Sequence, residues 1–192
     1  MNNYITFDEL KKEARQSLSE VSLESLKNII AKSEKQEDKN IFLSHSSKDK
    51  EYLPYVISFF KNYGGSVYID KLDKNLPNNT NHETAVKLKD RINTIDKFIL
   101  FATKNSKDSK WMPWEIGIAD GIKNYENIAI LPSVENMYEE NWAEQEYLGI
   151  YQKIVKGRID FGLEDWIVHN LHTKEKIYLK DWLLKYTPSW KR

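Results

Sequence analysis

One acidic residue is the first sign of chemistry in this chain. In the stretch Ser109-Lys110-Trp111-Met112-Pro113-Trp114-Glu115-Ile116-Gly117-Ile118-Ala119, helical spacing sets Trp111, Glu115, Ile118, Ala119 and Ile122 along one face. That face is otherwise apolar, so it is expected to lie against a sheet, with Glu115 inside the buried stripe. Burying a carboxylate is costly unless it is paired, and desolvation favours its neutral form. A glutamate so placed is either satisfied by a basic side chain or kept for chemistry, and the pattern alone leaves the two readings level. Two further polar clusters follow apolar runs: Ser44-His45-Ser46 after Ile41-Phe42-Leu43, and Thr103-Lys104-Asn105-Ser106 after Phe98-Ile99-Leu100-Phe101-Ala102. Both are compact and rich in donors.

The elements that must position these residues alternate. Apolar runs at Asn40 to Leu43, Ser66 to Ile69, Lys97 to Ala102 and Asn127 to Leu131 read as strands, the last expected to stop at Pro132. Between them, Tyr52, Val56, Phe59, Phe60 and Tyr63 keep a helical period, capped by Ser46 and Asp49 and ended by Gly64-Gly65. Thr80-x-x-Glu83 opens a second helix on Ala85, Leu88 and Ile92, and a third runs from about Ser109 to Tyr125. Strand and helix in alternation predict a mainly parallel five-stranded sheet with helices on both faces, the fifth strand falling in Tyr147 to Val155. If the strand order is 2-1-3-4-5, the reversal lies between the first and third strands, and ligands in open α/β sheets bind beyond the carboxyl ends at such a reversal. The serine and histidine of the first strand's exit and the threonine and serine of the third's are then brought together.

The chain's ends are less regular. Thr6-Phe7-Asp8-Glu9 is a capping box, followed by Phe7, Leu10 and Ala14 at helical spacing. Ser22 caps a second apolar set, Leu23, Leu26, Ile29 and Ile30, and the charged run at 32–39 reads as a linker. These divide the chain into an N-terminal helical extension and linker, residues 1–36, and an α/β domain over 37–192. Trp166-Ile167-Val168 and Lys176-Ile177-Tyr178-Leu179 predict a C-terminal hairpin, and Asp181 to Tyr186 a short terminal helix.

Composition removes whole classes of function. No cysteine among 192 residues excludes disulfides, a thiol nucleophile, thiolate zinc sites and iron–sulfur clusters. Twenty-nine basic against 29 acidic residues give no net pull toward nucleic acid or an anionic membrane. No apolar run approaches a membrane span of about 18 residues, and the polar N-terminus lacks the core of a signal peptide, so the expected location is the cytoplasm. Neither G-x-x-x-x-G-K-[ST] nor G-x-G-x-x-G occurs, which excludes the usual phosphate cradles. His169 and His172 fall at the predicted hairpin turn, and no metal site is expected there. Trp142, Trp166, Trp182 and Trp190 read as packing or partner-surface residues. Gly117 and Gly121 read as a small-residue face that lets the helix approach the sheet closely.

Together these motifs resemble the Toll/interleukin-1 receptor (TIR) domain family in its bacterial form. IFLSHSSKD (41–49) is similar to the family's first box, GGSVYIDKLD (64–73) to its second strand and the head of the BB loop, and FILFATKNSKDSKW (98–111) to its third strand and serine-bearing exit. Trp111-x-x-x-Glu115 matches the family's W-x-x-x-E. Four matches occur in order, on the elements they should occupy. The resemblance implies a flavodoxin-like fold and cleavage of the nicotinamide–ribose bond of NAD⁺, in the manner of the TIR proteins of anti-phage (Thoeris-like) defence. It implies Glu115 as the catalytic residue, Ser44 and His45 lining the pocket, Asp70 and Leu72 bordering it at the BB loop, and Ser106, Ser109 and Trp111 shaping the nicotinamide–ribose side. NAD⁺ enters as substrate, with no separate cofactor. A homo-oligomer built through TIR surfaces, and a separately encoded sensor or effector, are the implied protein partners. Pro77-Asn78-Asn79 stands where many members carry Pro-Gly, which puts the self-assembly surface of that loop in question.

The chemistry of the residues agrees with that implication. Loss of nicotinamide leaves oxocarbenium character on the ribose, which a neighbouring carboxylate stabilises. The leaving group is already cationic, so one carboxylate can serve where ordinary glycosidases need two. Two other functions fit the same elements: a non-catalytic TIR adaptor that signals by self-association, and a nucleoside deoxyribosyltransferase-like N-glycosidase on a related sheet.

Overall fold

A computed structural model describes residues 4–16, 28, 38–69, 82–136 and 146–185. The described strands are β1 (Ile5–Thr6), β2 (Ile41–His45), β3 (Val67–Tyr68), β4 (Lys97–Ala102), β5 (Ile128–Val134), β6 (Gln152–Gly157), β7 (Asp165–His169) and β8 (Lys176–Tyr178). The helices are α1 (Phe7–Gln16), α2 (Leu53–Asn62), α3 (His82–Thr94), α4 (Met112–Ile122) and α5 (Leu179–Leu184). Along the sheet the order is β3-β2-β4-β5-β6-β7-β8, with β1 paired to β5. The first five strands of that path are parallel and realise the 2-1-3-4-5 order expected from sequence. The C-terminal hairpin does not stand apart. It pairs antiparallel with β6 through Lys153↔His169 to Gly157↔Asp165 and so widens the same sheet.

Strand alternation divides the interior into two layers. Ile41, Leu43, Ile99, Phe101, Ala129 and Leu131 face α1, α2 and α5, where Leu10, Val56, Phe59, Phe60, Trp182 and Leu183 complete the layer. Phe42, Phe98, Leu100, Ile128 and Ile130 face α3 and α4, against Leu88, Ile92, Met112, Ile116 and Ala119. β2 and β4 are buried along their whole length, as central parallel strands require.

Local chemistry sets the boundaries. The Thr6–Glu9 capping box is formed reciprocally: Glu9 N–H donates to Thr6 Oγ1 at 3.1 Å, and Thr6 N–H donates to Glu9 Oε2 at 3.0 Å. Gly64, at φ +84°, ends α2, with its N–H and that of Gly65 donating back to Lys61 and Phe60. Pro132 does not stop its strand, contrary to expectation. β5 runs on to Val134 because the missing N–H falls after β6 has left the ladder, whose last pair with β5 is Ile130↔Lys153, and at the final pair with β4, Ala102↔Pro132. Beyond it, Ser133 and Val134 pair with Ile5 and Thr6. The N-terminal strand thus pairs with the last two residues of β5, and Ile5, Leu10 and Ala14 are fully buried. The second N-terminal apolar set, the Thr80 cap and Pro77-Asn78-Asn79 lie outside the described residues.

At the amino ends of the parallel strands the sheet is closed by lysines. Lys97 Nζ donates to Asn127 Oδ1 at 2.6 Å and to the Lys185 carbonyl at 2.8 Å, and lies 4.9 Å from the centre of the Trp182 ring. Trp182 Nε1 in turn donates to the Glu126 carbonyl at 2.8 Å, which docks α5 on this end. Lys123 Nζ donates to the Ile95 carbonyl. Burial pushes both ammonium groups down from 10.5 to about 8. A cavity of about 610 Å³, lined by Lys97, Gln152, Asn170 and Trp182 among others, opens at this end.

Candidate active site at the carboxyl end of the sheet

The strand order reverses between β2 and β4, so the two exits flank the crevice. Alternation along β2 decides which exit side chains enter it. Ser44 shares a face with Phe42, on the side of α4. The buried face of α4 consists of Met112, Glu115, Ile116 and Ala119. Glu115 is therefore carried to Ser44, whose Oγ donates to Glu115 Oε2 at 2.5 Å. Ser44 is 1% exposed and Glu115 4% exposed, so this charge-assisted bond is made away from bulk water. Glu115 also sits in the first turn of its helix, where the helix dipole favours a negative charge.

Glu115 lies in the buried stripe, as expected, but the stripe is turned. Met112 and Ile116 are buried, while Ile118, Ile122 and Trp111 are only half-buried. Gly117 and Gly121 lie on the outer face with nothing within 4 Å of an added Cβ, so they do not mediate the close helix–sheet approach expected of them. The reason is that Met112 and Ile116 fit the same helical period one position away, and Pro113 takes the exposed side at the helix start.

The remaining expected site residues divide into three groups. Ser106 and Ser109 are near the site but hold backbone: Thr103 N–H donates to Ser106 Oγ at 2.9 Å, and Met112 N–H donates to Ser109 Oγ at 3.3 Å. Trp111 precedes α4 and meets Trp114 edge-to-face with ring centres 5.2 Å apart, which leaves a half-buried aromatic wall at the helix start. His45 is buried, but it opposes Phe101 in the ladder and shares the face of Leu43, the layer of α1 and α2. Strand alternation thus separates it from Ser44, and the two do not line one wall as expected. Asp70 and Leu72 lie outside the described residues. No group of three or more potential metal ligands occurs among the described residues.

Asp49, which the sequence pattern offers only as a helix cap, also belongs to the site. Asp49 is fully buried, and both of its oxygens reach across to the β4 exit. Thr103 Oγ1 donates to Asp49 Oδ2 at 2.7 Å, and Asn105 Nδ2 donates to Asp49 Oδ1 at 2.6 Å. Ser46 caps the 3-10 turn of Ser47–Tyr52, accepting from Lys48 N–H. Outside this, Lys48 Nζ lies 2.7 Å from Asp108 Oδ2, an exposed pair joining the same two segments.

Comparison with known proteins bears on this arrangement. The profile of the TIR domain family matches residues 41–162, from the first residue of β2 to the turn between β6 and β7. The chain belongs to the TIR domain family. This TIR domain is also 35% identical over 166 residues to a Bacillus cereus (strain MSX-D12) protein named probable 3′ cyclic ADP-D-ribose synthase ThsB′, over 83% of this chain and 85% of the relative. The W-x-x-x-E of this TIR domain lies inside the matched span, and β1, α1, β7, β8 and α5 lie outside it. Among the described residues, no helix of the TIR domain is long and apolar enough to cross a membrane.

Proposed function

We propose that this TIR domain is an enzyme that breaks the nicotinamide–ribose bond of NAD⁺ and converts the ADP-ribosyl part into a cyclic product, in the anti-phage role that its family resemblance implies. The observation that carries the reading is the carboxylate of Glu115, buried at the strand-order reversal and held by Ser44. The name of the Bacillus cereus relative supports the product class. NAD⁺ is the substrate, and no further cofactor is required.

The chemistry follows from the position of the carboxylate. As the C–N bond to nicotinamide breaks, its electron pair leaves with the neutral base and positive charge grows on the ribose. A fixed anion beside the sugar stabilises that charge without reorganising. Ser44 keeps the carboxylate in one orientation, and the Trp111–Trp114 pair offers an aromatic surface for the planar base. The family resemblance assigns Asp70 and Leu72 to the pocket border, and Ser106 and Ser109 shape the site through the backbone they hold.

The test is incubation of the purified protein with NAD⁺ and mass spectrometry of the products. Release of nicotinamide by the native protein and its loss in Glu115→Gln, with an unchanged melting curve, is the expected result. A fully active Glu115→Gln protein would remove the assignment. Inertness toward NAD⁺ together with concentration-dependent oligomers would favour the adaptor function, and base release from deoxynucleosides the transferase-like one.

A further inference from the structure

We infer that Asp49 is a positioning residue that fixes the separation of the β2 and β4 exits and thereby governs how the ribosyl cation is partitioned between water and an internal hydroxyl. The inference rests on the NAD⁺-cleaving reading of the site. Its basis is the geometry of the contact. Both oxygens of a fully buried carboxylate cross the strand-order reversal, one to the Thr103 hydroxyl at 2.7 Å and one to the Asn105 amide at 2.6 Å.

The turn that Asp49 grips is itself tied. Thr103 N–H donates to Ser106 Oγ, Ser106 N–H donates to the Thr103 carbonyl, and Asn105 N–H donates to Thr103 Oγ1. Residues 103–106 therefore move as one body, and Asp49 joins that body to the segment after Ser44 and Ser46. Ser109, whose Oγ accepts from Met112 N–H at the start of the helix that carries Glu115, follows on this turn. A shift at Asp49 thus changes the gap between Ser44 and the start of α4, where the sugar must sit. The outer Lys48–Asp108 pair joins the same segments, but both partners are about half exposed, so it holds them weakly. Burying an acid here is costly, and a helix cap alone does not require it, because Ser46 already fills that role.

Two captures compete once nicotinamide has left with the electron pair of the broken bond. Water adds to the sugar carbon to form a C–O bond and releases a proton to solvent, giving linear ADP-ribose. A hydroxyl of the same molecule forms the corresponding C–O bond and releases its proton likewise, giving a cyclic isomer. Internal capture needs a folded substrate and a gap too narrow for a competing water. The Asp49 clamp sets that gap.

The experiment compares the native protein, Glu115→Gln, Asp49→Asn, Asp49→Ala and Lys48→Ala for melting temperature, kcat, KM and the ratio of cyclic to linear product from NAD⁺. Asp49→Ala removes both acceptors that cross the reversal and should shift the ratio toward linear product by on the order of tenfold. Asp49→Asn, which keeps one acceptor, should shift it less, and Lys48→Ala should leave it unchanged. Thr103→Val and Asn105→Ala remove the same contacts from the other side and should reproduce the shift if Asp49→Ala does not fold. A purely structural Asp49 would lower the melting temperature and total turnover at a constant product ratio, and that result overturns the inference. A native protein that makes only linear product also overturns it while leaving the NAD⁺-cleaving function standing. A native protein inert toward NAD⁺ overturns both.

Discussion

Raising the pH from about 7.5 to about 9.5 should stabilise this protein, and the two buried lysines set the amount. In the folded chain Lys97 and Lys123 each titrate at about 8, against 10.5 for a free lysine. Between those values the unfolded chain binds more protons than the folded one, so stability rises with pH. Across the stated interval one such lysine contributes roughly 2 kcal/mol, and the pair contributes less than about twice that, because the two groups influence each other. Tyr151, pushed up to about 12, and Tyr63, pushed higher still, oppose the trend only above about pH 10, where unfolded tyrosine ionises. At about 2–4 °C per kcal/mol for a chain of this size, each lysine should raise the melting temperature by roughly 4–8 °C. The assay is thermal unfolding followed by circular dichroism at constant ionic strength. Lys97→Met should lose about half of the pH-dependent gain. Only the pH slope is informative in that variant, since it also strips the donor from Asn127 and the Lys185 carbonyl. A native melting temperature that stays flat or falls over the interval would refute the reasoning, as would a Lys97→Met protein that keeps the whole gain.

Ser44→Ala should reduce kcat/KM for NAD⁺ by about 10- to 100-fold, the worth of a charge-assisted hydrogen bond to a buried carboxylate, with the circular dichroism spectrum unchanged. Gly117→Ala should raise stability by about 0.5–1 kcal/mol in denaturant titrations, because the position is mid-helix with open space around it. Leu10→Ala should cost about 2–5 kcal/mol in the same titration, because the side chain is fully buried against the α2 layer. A cost near zero would mean that α1 does not belong to the folded core.

Much of this arrangement was legible in the sequence. The central strands are apolar on both faces, so Ile41–Leu43 and Phe98–Ala102 stood out, and the polar residues directly after them marked the crevice. Glu115 was legible because one carboxylate interrupted an apolar helical stripe. Which neighbours shared that stripe was not, since Met112 and Ile116 fit the period as well as Ile118 and Ile122 do. The separation of Ser44 from His45 follows from strand alternation alone, once β2 is seen to run through both residues. The β1 strand was hidden because two residues, Ile5 and Thr6, carry no periodicity. Asp49 was concealed by chemistry shared between roles: an aspartate after a strand exit serves a helix cap and a cross-strand clamp with the same atoms, and only the distances to Thr103 and Asn105 separate them.

The layer that contains α2 is assembled from both extremities of the chain: Ile5, Phe7 and Leu10 lie in one apolar cluster with Leu179, Trp182 and Leu183. During synthesis the first of these leave the ribosome long before the last are translated. A nascent chain can thus complete the α3–α4 side of its sheet while the opposite side still lacks Trp182. Closure waits until Trp182 has left the ribosome, and a chain cut shortly after residue 162 would hold the whole family-matched span yet leave one oily flank open to water.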